Sequence, residues 1–335
     1  MTQTVSDAAQ LKIVPLIAKE LGVGPDQVRA AVALLDEGST VPFIARYRKE
    51  ATGNLDDTHL RTLEERLLYL RELELRRAAI LASIEEQGKL TDVLRGTIEA
   101  AATKQTLEDL YLPYKPKRRT RAQIAREAGL EPLADALFAD PTLDPEQEAV
   151  KYLKVKPAAD GVEAINVPDA KAALEGARDI LVERFAETAE LLATLRTRLW
   201  DQGVVTSTVM KGKETAQEEK FRDYYAYSET IRTIPSHRAL ALFRGRTLGV
   251  LKIELGLGEA LEAVVPHPCI ATIAAHVGIE DRGRRADKWL MGVCDWTWRV
   301  KVHLHLTVEL LVQLREAAEA EAIKIFGRNL HELLL

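Results

Sequence analysis

Between Asp56 and Gly88, apolar side chains return at steps of three and four: Leu60, Leu63, Leu67 and Leu70, then Leu81 and Ile84, with Leu68 and Leu75 widening the stripe. Glu64, Glu65, Arg71, Glu74 and Arg76 fill much of the remaining circumference. A period near 3.6 places one apolar face along a single long helix. Such a helix must bury its stripe, so it dictates a packed bundle or a coiled-coil-like pair. Composition agrees, with 45 Ala and 47 Leu among 335 residues and only 5% aromatics. Ala, Leu, Glu, Arg and Lys are the strong helix formers, whereas an all-β chain needs more Val, Ile, Thr and aromatics. An apolar content of 47% also excludes a disordered chain. The expected fold class is therefore mainly α, a multi-helical bundle with at most a few short strands.

Shorter helices flank this segment. Ser6 and Asp7 can cap a helix to Leu21, with Leu11, Val14 and Ala18 on one face. Pro25 opens another to Glu37, stopped at Gly38. Thr52-Gly53-Asn54 is a turn, and helices follow over Thr91–Ala101 and Thr106–Leu110. Pro141, Pro145 and the stretch from Lys156-Pro157 to Pro168 read as loops, and a long helix as running from Pro168 to about Asp201. Val204–Val209 and Val250–Leu255 suit short strands, and Lys213–Lys220 and Ser236–Arg244 suit helices. From Trp296 to Leu310 apolar residues alternate strictly, the pattern of a half-buried strand, yet the run is long for a strand and Glu309–Phe326 continues as helix. The final Asn329–Leu335 ends on three leucines, an apolar end expected of a chain cut at a boundary.

The formal charge of −5 argues against a protein that coats nucleic acid, so any such contact needs a local patch. One exists. Lys115, Lys117, Arg118, Arg119, Arg121 and Arg126 form a run of +6 without an acidic residue. Glu127, Glu131, Asp135, Asp140, Asp144, Glu146 and Glu148 follow as a run of −7 without a basic one. This reversal places a module boundary near residue 115. Within the module, the Arg121 helix, Gly129 and the Glu131-Pro132 helix start have the style of a helix-turn-helix. Its second helix carries Glu131 and Asp135, which phosphates repel, so the basic arm and first helix are the expected nucleic-acid face. Arg46, Arg48 and Lys49 beside Phe43 and Tyr47 form a second basic-aromatic cluster, and Lys211, Lys213, Lys220, Arg222, Tyr224, Tyr225 and Tyr227 a third. Arginines bind phosphates and tyrosines offer stacking faces. The competing reading makes all three solvated surface, or pairs the arginines with the abundant acids.

Other chemistries find little support. No G-x-x-x-x-G-K-[ST] or strand-borne G-x-G-x-x-G appears, which argues against a nucleotide site. Ser236-His237 lacks a glycine elbow, and His267, Cys269 and His303 offer only a remote metal-hydrolase reading. No cofactor is expected. Two cysteines, Cys269 and Cys294, give no disulfide framework, and no apolar stretch reaches membrane-spanning length. A cytoplasmic protein without membrane partners is the expectation.

Several strings together resemble the bacterial Tex family of transcription accessory proteins, which carry an S1-type RNA-binding domain. They are Val41–Glu50 with Gly53–Asp56, Tyr111–Thr120, Lys220–Glu229, Ile234–Gly245 and Phe326–Leu335. The resemblance covers the N-terminal region of that family. It implies a helical region over 1–114, a helix-turn-helix-like module over 115–200 and a second helical region over 201–335 ending in a linker helix. It also implies helix rather than strand across Trp296–Leu310. Downstream nuclease-like, helix-hairpin-helix and S1-type domains are implied for longer members, and no catalytic residue is implied here. The function it suggests is a non-catalytic scaffold with auxiliary electrostatic contact to DNA or RNA in transcription, with transcription machinery as a further partner. The alternative is a protein-interaction module that docks on downstream domains or that machinery without touching nucleic acid.

Overall fold

The computed structural model describes residues 7–156, 165–212 and 219–334. The chain divides into two compact units, Met1–Tyr114 and Lys115–Leu335. Among the described residues the fold is mainly α, with two small sheets.

The first unit contains α1 (Asp7–Leu21), α2 (Pro25–Asp36), α3 (Val41–Tyr47), α4 (Asp57–Glu86), α5 (Asp92–Ala100) and α6 (Lys104–Tyr111). Helix α4 is the long amphipathic helix. Asp56 caps it by accepting the His59 backbone N–H at 2.8 Å. Its buried stripe is Leu60, Leu63, Leu67, Leu70, Leu73, Ile80 and Ile84, with Arg77 among them. Leu68, assigned to the stripe by sequence, is exposed instead, as is Leu11 of α1, where Ile13 and Ile17 join Val14 and Ala18 in the core. Both corrections have one cause: a stripe closes over about 100°, and the packed neighbours choose which of the adjacent apolar residues it includes. The Ser6 cap lies outside the described residues. Arg77 is buried because it caps another helix. Its guanidinium donates to the carbonyls of Ile98, Glu99 (2.8 Å) and Ala101 (3.0 Å) at the end of α5. The last carbonyls of a helix lack i→i+4 partners, and here only Ile98 O has a local one, the Ala101 N–H at 3.3 Å.

The second unit opens with α7 (Arg121–Glu127), α8 (Glu131–Ala139) and α9 (Pro145–Val150). Pro145 starts a helix rather than a loop, because proline suits a first helical position and Asp144 caps it from Glu146 and Gln147. Strands β1 (Lys154–Lys156) and β2 (Ile165–Val167) pair antiparallel where the proline spacing suggests loop; residues 157–164 between them lie outside the described residues. The helix expected from Pro168 to Asp201 is two, α10 (Ala170–Ala186) and α11 (Ala189–Gln202). No glycine or proline marks the break. Thr188 adopts extended backbone and turns its hydroxyl back to Arg184 O at 3.2 Å.

Strands β3 (Val204–Val209), β4 (Ala226–Thr230) and β5 (Leu251–Gly256) form an antiparallel sheet in the order β4-β3-β5. Of the expected Lys213–Lys220 helix, residues 213–218 lie outside the described residues, and Glu219–Tyr224 forms a 3₁₀ turn. Helix α12 (Ser236–Thr247) precedes β5; α13 (Glu259–Glu262), α14 (Pro268–Val277) and α15 (Asp287–Trp296) follow it. A π-helical turn, Thr297–Val302, then leads into α16 (His303–Leu334).

The alternating Trp296–Leu310 run is thus helical. Alternation within a helix yields two rows at a spacing of four. Trp298, Val302, Leu306 and Leu310 are buried, whereas Trp296, Val300, Leu304 and Val308 are exposed. The wide π turn accommodates this spacing, which is longer than the α-helical period.

Candidate nucleic-acid interface

In the first unit, Arg46, Arg48 and Lys49 stand at the exposed end of α3 and on the loop after it. Pro42 sits in the first turn of α3, and buried Val41 and Ile44 anchor the helix. The loop turns on itself: Asn54 N–H donates to Lys49 O at 2.8 Å, and fully buried Thr52 donates its hydroxyl to Arg48 O and Lys49 O, each at 3.2 Å. Gly53 and Asn54 take positive φ, 61° and 65°, a conformation these residue types tolerate best. Gln27 of α2 clamps the turn. Its amide nitrogen donates to Gly53 O at 2.7 Å while its oxygen accepts Gly24 N–H at 2.8 Å.

The loop holds a shallow depression of about 380 Å³ lined by Arg46–Ala51. Exposed Phe43 and Tyr47 stack at a tilt, their centroids 5.3 Å apart, and the Arg48 guanidinium lies 5.6 Å from the Phe43 centroid. None of Arg46, Arg48 and Lys49 has a carboxylate partner among the described residues.

In the second unit the basic arm behaves differently. Thr120 caps α7 by accepting Gln123 N–H at 3.1 Å, and buried Ala122 and Ala125 seat the helix on α10. Gly176 of α10 permits the approach: a Cβ there would lie 2.4 Å from Leu130 Cδ1 and 3.2 Å from Ala125 Cβ. Three of the six basic residues are spent on this packing. Lys117 pairs with Glu187, Arg119 with Glu127, and Arg126 with both Glu183 (2.7 Å) and Glu131 (3.4 Å). Lys115, Arg118 and Arg121 are exposed and have no carboxylate partner among the described residues.

The acidic run is likewise engaged. Arg184 of α10 holds Asp135 at 2.8 Å and Glu131 at 3.7 Å, so the charged side of α8 faces protein. Burial raises the Glu183 carboxyl, but hydrogen bonds from Arg126 and Thr120 and the charge of Lys117 outweigh it and leave the group below its ordinary value. Burial dominates at Glu187, which titrates above its ordinary value despite Lys117.

The third cluster is partly neutralised. Arg222 lies 3.6 Å from Glu219, Tyr227 donates its hydroxyl to Glu229, and Arg238 approaches Glu229 at 3.2 Å. Lys213 lies outside the described residues. The metal-hydrolase constellation does not assemble: among the described residues no group of three or more His, Cys, Asp or Glu is placed to hold a metal ion. Burial pushes the Cys269 and Cys294 thiols up to about 12, and the His303 ring nitrogen Nε2 is engaged by Leu255 O at 2.7 Å.

Sequence reading found the basic clusters and missed what builds them. Gln27 gave no signal, being one polar residue in a helix 26 positions away from the carbonyl it holds. Glu183 and Glu187 were hidden on a helix that looked simply amphipathic.

Two families match the chain. The Tex-like protein N-terminal domain covers residues 11–85, and the Tex central region-like family covers residues 140–326. Protein tex of Bordetella pertussis is 57% identical over 330 residues, which are 97% of this chain and 40% of that protein. Protein YhgF of Escherichia coli is 56% identical over 321 residues, 96% of this chain and 40% of that protein. The transcriptional accessory protein Tex of Neisseria gonorrhoeae is 52% identical over 325 residues, 97% of this chain and 41% of that protein. The chain thus spans about 40% of the length of these relatives. Matched by both family descriptions and by relatives along nearly its whole length, this chain belongs to the Tex family, of which it is the N-terminal region.

Proposed function

We propose that this region is a non-catalytic scaffold of a Tex-like transcription accessory protein and adds an auxiliary, sequence-independent contact to nucleic-acid phosphates. The observation carrying this reading is the partition of basic side chains. Arg46, Arg48 and Lys49 in one unit, and Lys115, Arg118 and Arg121 in the other, are exposed without carboxylate partners among the described residues, whereas Lys117, Arg119 and Arg126 are paired. Only the unpaired cations can exchange their counterions for phosphates. Phe43 and Tyr47 add exposed ring faces for unstacked bases in the first unit. The name of the gonococcal relative, a transcriptional accessory protein, gives the process in which such a contact would act. A contact to phosphates carries no base information, so the proposed contact is positional.

The test is fluorescence anisotropy of single- and double-stranded oligonucleotides titrated with the whole chain at low and moderate salt. Saturable binding that weakens with salt is expected, and stronger binding to the single strand if the rings take part. Absence of binding at low salt overturns the reading.

A further inference from the structure

The second unit carries a pocket of about 580 Å³ that none of the basic candidates lines. Helix α15 supplies Met291 and Gly292, the π turn supplies Trp298, and the Val264–His267 segment before α14 supplies the facing wall. His267 is 8% exposed and stacks on Trp298, with ring centroids 5.5 Å apart and planes at 24°. Its Nδ1 accepts the Cys269 backbone N–H at 3.2 Å, capping α14. An accepting Nδ1 places the ring proton on Nε2. That buried nitrogen has no hydrogen-bond acceptor. Glu262 Oε2 lies 3.2 Å away but outside hydrogen-bonding geometry, and the other Glu262 oxygen already accepts Leu257 N–H at 2.8 Å.

The lining defines the ligand. Ile270, Met291, Val264 and Trp298 suit an aliphatic or aromatic side chain. At the mouth stand two carboxylates, Glu262 and Asp295, and one guanidinium, Arg299, which Asp295 holds at 2.7 Å. The balance of charge is negative, which disfavours phosphate and favours Lys or Arg. The rim is apolar and solvent-facing: Val265 is 92% exposed, and Val264 is also exposed. A rim of this kind exceeds what a small polar ligand covers and matches a protein segment.

We propose that this pocket docks an extended peptide segment of a partner protein. An apolar anchor side chain enters against Trp298, stacked on His267, and a neighbouring Lys or Arg meets Glu262 and Asp295.

The experiment follows the Trp298 indole N–H in ¹H–¹⁵N spectra of the whole chain, assigned from the spectrum of Trp298→Phe. The probes are acetylated, amidated pentapeptides with a central Leu, Met or Phe between two lysines, the same peptides with glutamates for lysines, and adenosine monophosphate. At least one lysine-flanked peptide shifts the indole saturably, with affinity about tenfold or more above its glutamate counterpart. Gly292→Leu fills the pocket and weakens that binding by about tenfold or more. A Cβ at Gly292 meets no atom within 4 Å, and leucine is the better helix former, so the variant melts no lower than the parent. The proposal is overturned if no peptide shifts the indole saturably, if glutamate-flanked peptides bind equally, if binding survives Gly292→Leu, or if adenosine monophosphate binds while the peptides do not.

Discussion

The loop Arg46–Lys49 and the arm Lys115–Arg126 look alike as strings, since each is a dense basic run beside aromatic residues. The fold treats them differently. Around the loop, the polar groups of Gln27 and Thr52 are spent on backbone carbonyls, so the turn is built without using the charges of Arg46, Arg48 and Lys49. Along the arm, Lys117, Arg119 and Arg126 are themselves the ties, each bound to a carboxylate of α7, α8 or the α10 end. A charge used to hold structure is not available to a ligand. The count of basic residues in a run is therefore a poor measure of its phosphate-binding capacity, and what matters is which of them the local architecture can spare.

This comparison breaks most visibly at the turn itself. Gly53→Val places a β-branched side chain at φ +61° with its Cβ 2.7 Å from Gln27 Nε2. The strained backbone and the displaced amide, with its three hydrogen bonds, together cost about 2–3 kcal/mol. Urea denaturation followed by circular dichroism should show this loss. The loop's share of oligonucleotide binding should fall with it, although no basic residue has changed. A variant as stable as the parent would show that Gln27 and Gly53 do not build the loop.

The arm breaks by the opposite route. Arg126→Ala removes a charge and leaves Glu183 with its burial and fewer partners, a destabilisation of about 1–2 kcal/mol given that Arg126 is partly exposed. The pH dependence identifies the cause. In the parent, Glu183 titrates below its ordinary value of 4.5, so its stabilising share is present above that pH and is lost as pH falls through the depressed value. In the variant the carboxyl keeps its burial without Arg126, so it titrates higher than in the parent. The gap between the two proteins should therefore be full at pH 7 and close as the pH falls through the variant's higher value toward the parent's depressed one. A pH-independent gap would point to lost packing rather than to a lost ion pair.

Much of this architecture was legible in the chain because it depends on short-range patterns. The α4 stripe, the Asp56 cap, the Gly129 turn and the opening of α12 follow from spacing and local chemistry. The break at Thr188 was not legible, because neither a glycine nor a proline marks it. The Trp296–Leu310 run left strand and helix open for a different reason: alternation is the strand signal only where successive residues oppose, and in a helix the same letters give one buried row and one exposed row. The basic clusters were visible as composition. Their pairing was not, because Glu183 and Glu187 lie about 60 residues beyond the arm and only the packing of α7 on α10 brings them back to it. The same limit hid the His267 pocket, whose walls come from segments that share no motif.

The cysteines give a control on the state of the fold in all these variants. Burial pushes both thiols up to about 12, so at pH 8 the thiolate is scarce and the sulfur shielded. Ellman's reagent should label neither quickly in the native chain and both in denaturant. Fast native labelling of either would show the second unit open around α14 or α15.

The smallest effect on stability is the most informative about function. Arg118→Ala with Arg121→Ala removes two exposed cations that no carboxylate among the described residues holds, and such surface changes stay within about 0.5 kcal/mol. If the arm binds phosphates, the slope of log K against log salt should flatten by about one unit for each phosphate that the variant leaves without its cation. The flattening should be equal for unrelated sequences, because phosphates carry no base information. Lys117→Ala with Arg119→Ala deletes the same formal charge from paired positions. Its expected signature is reversed: a measurable loss of stability and little change in the slope. Equal flattening by both double variants would mean that the ion pairs open for nucleic acid at no cost, and the distinction between spent and spare charge would fail. An unchanged slope in both would remove the arm from the interface and leave the Arg46–Lys49 loop as its remaining candidate.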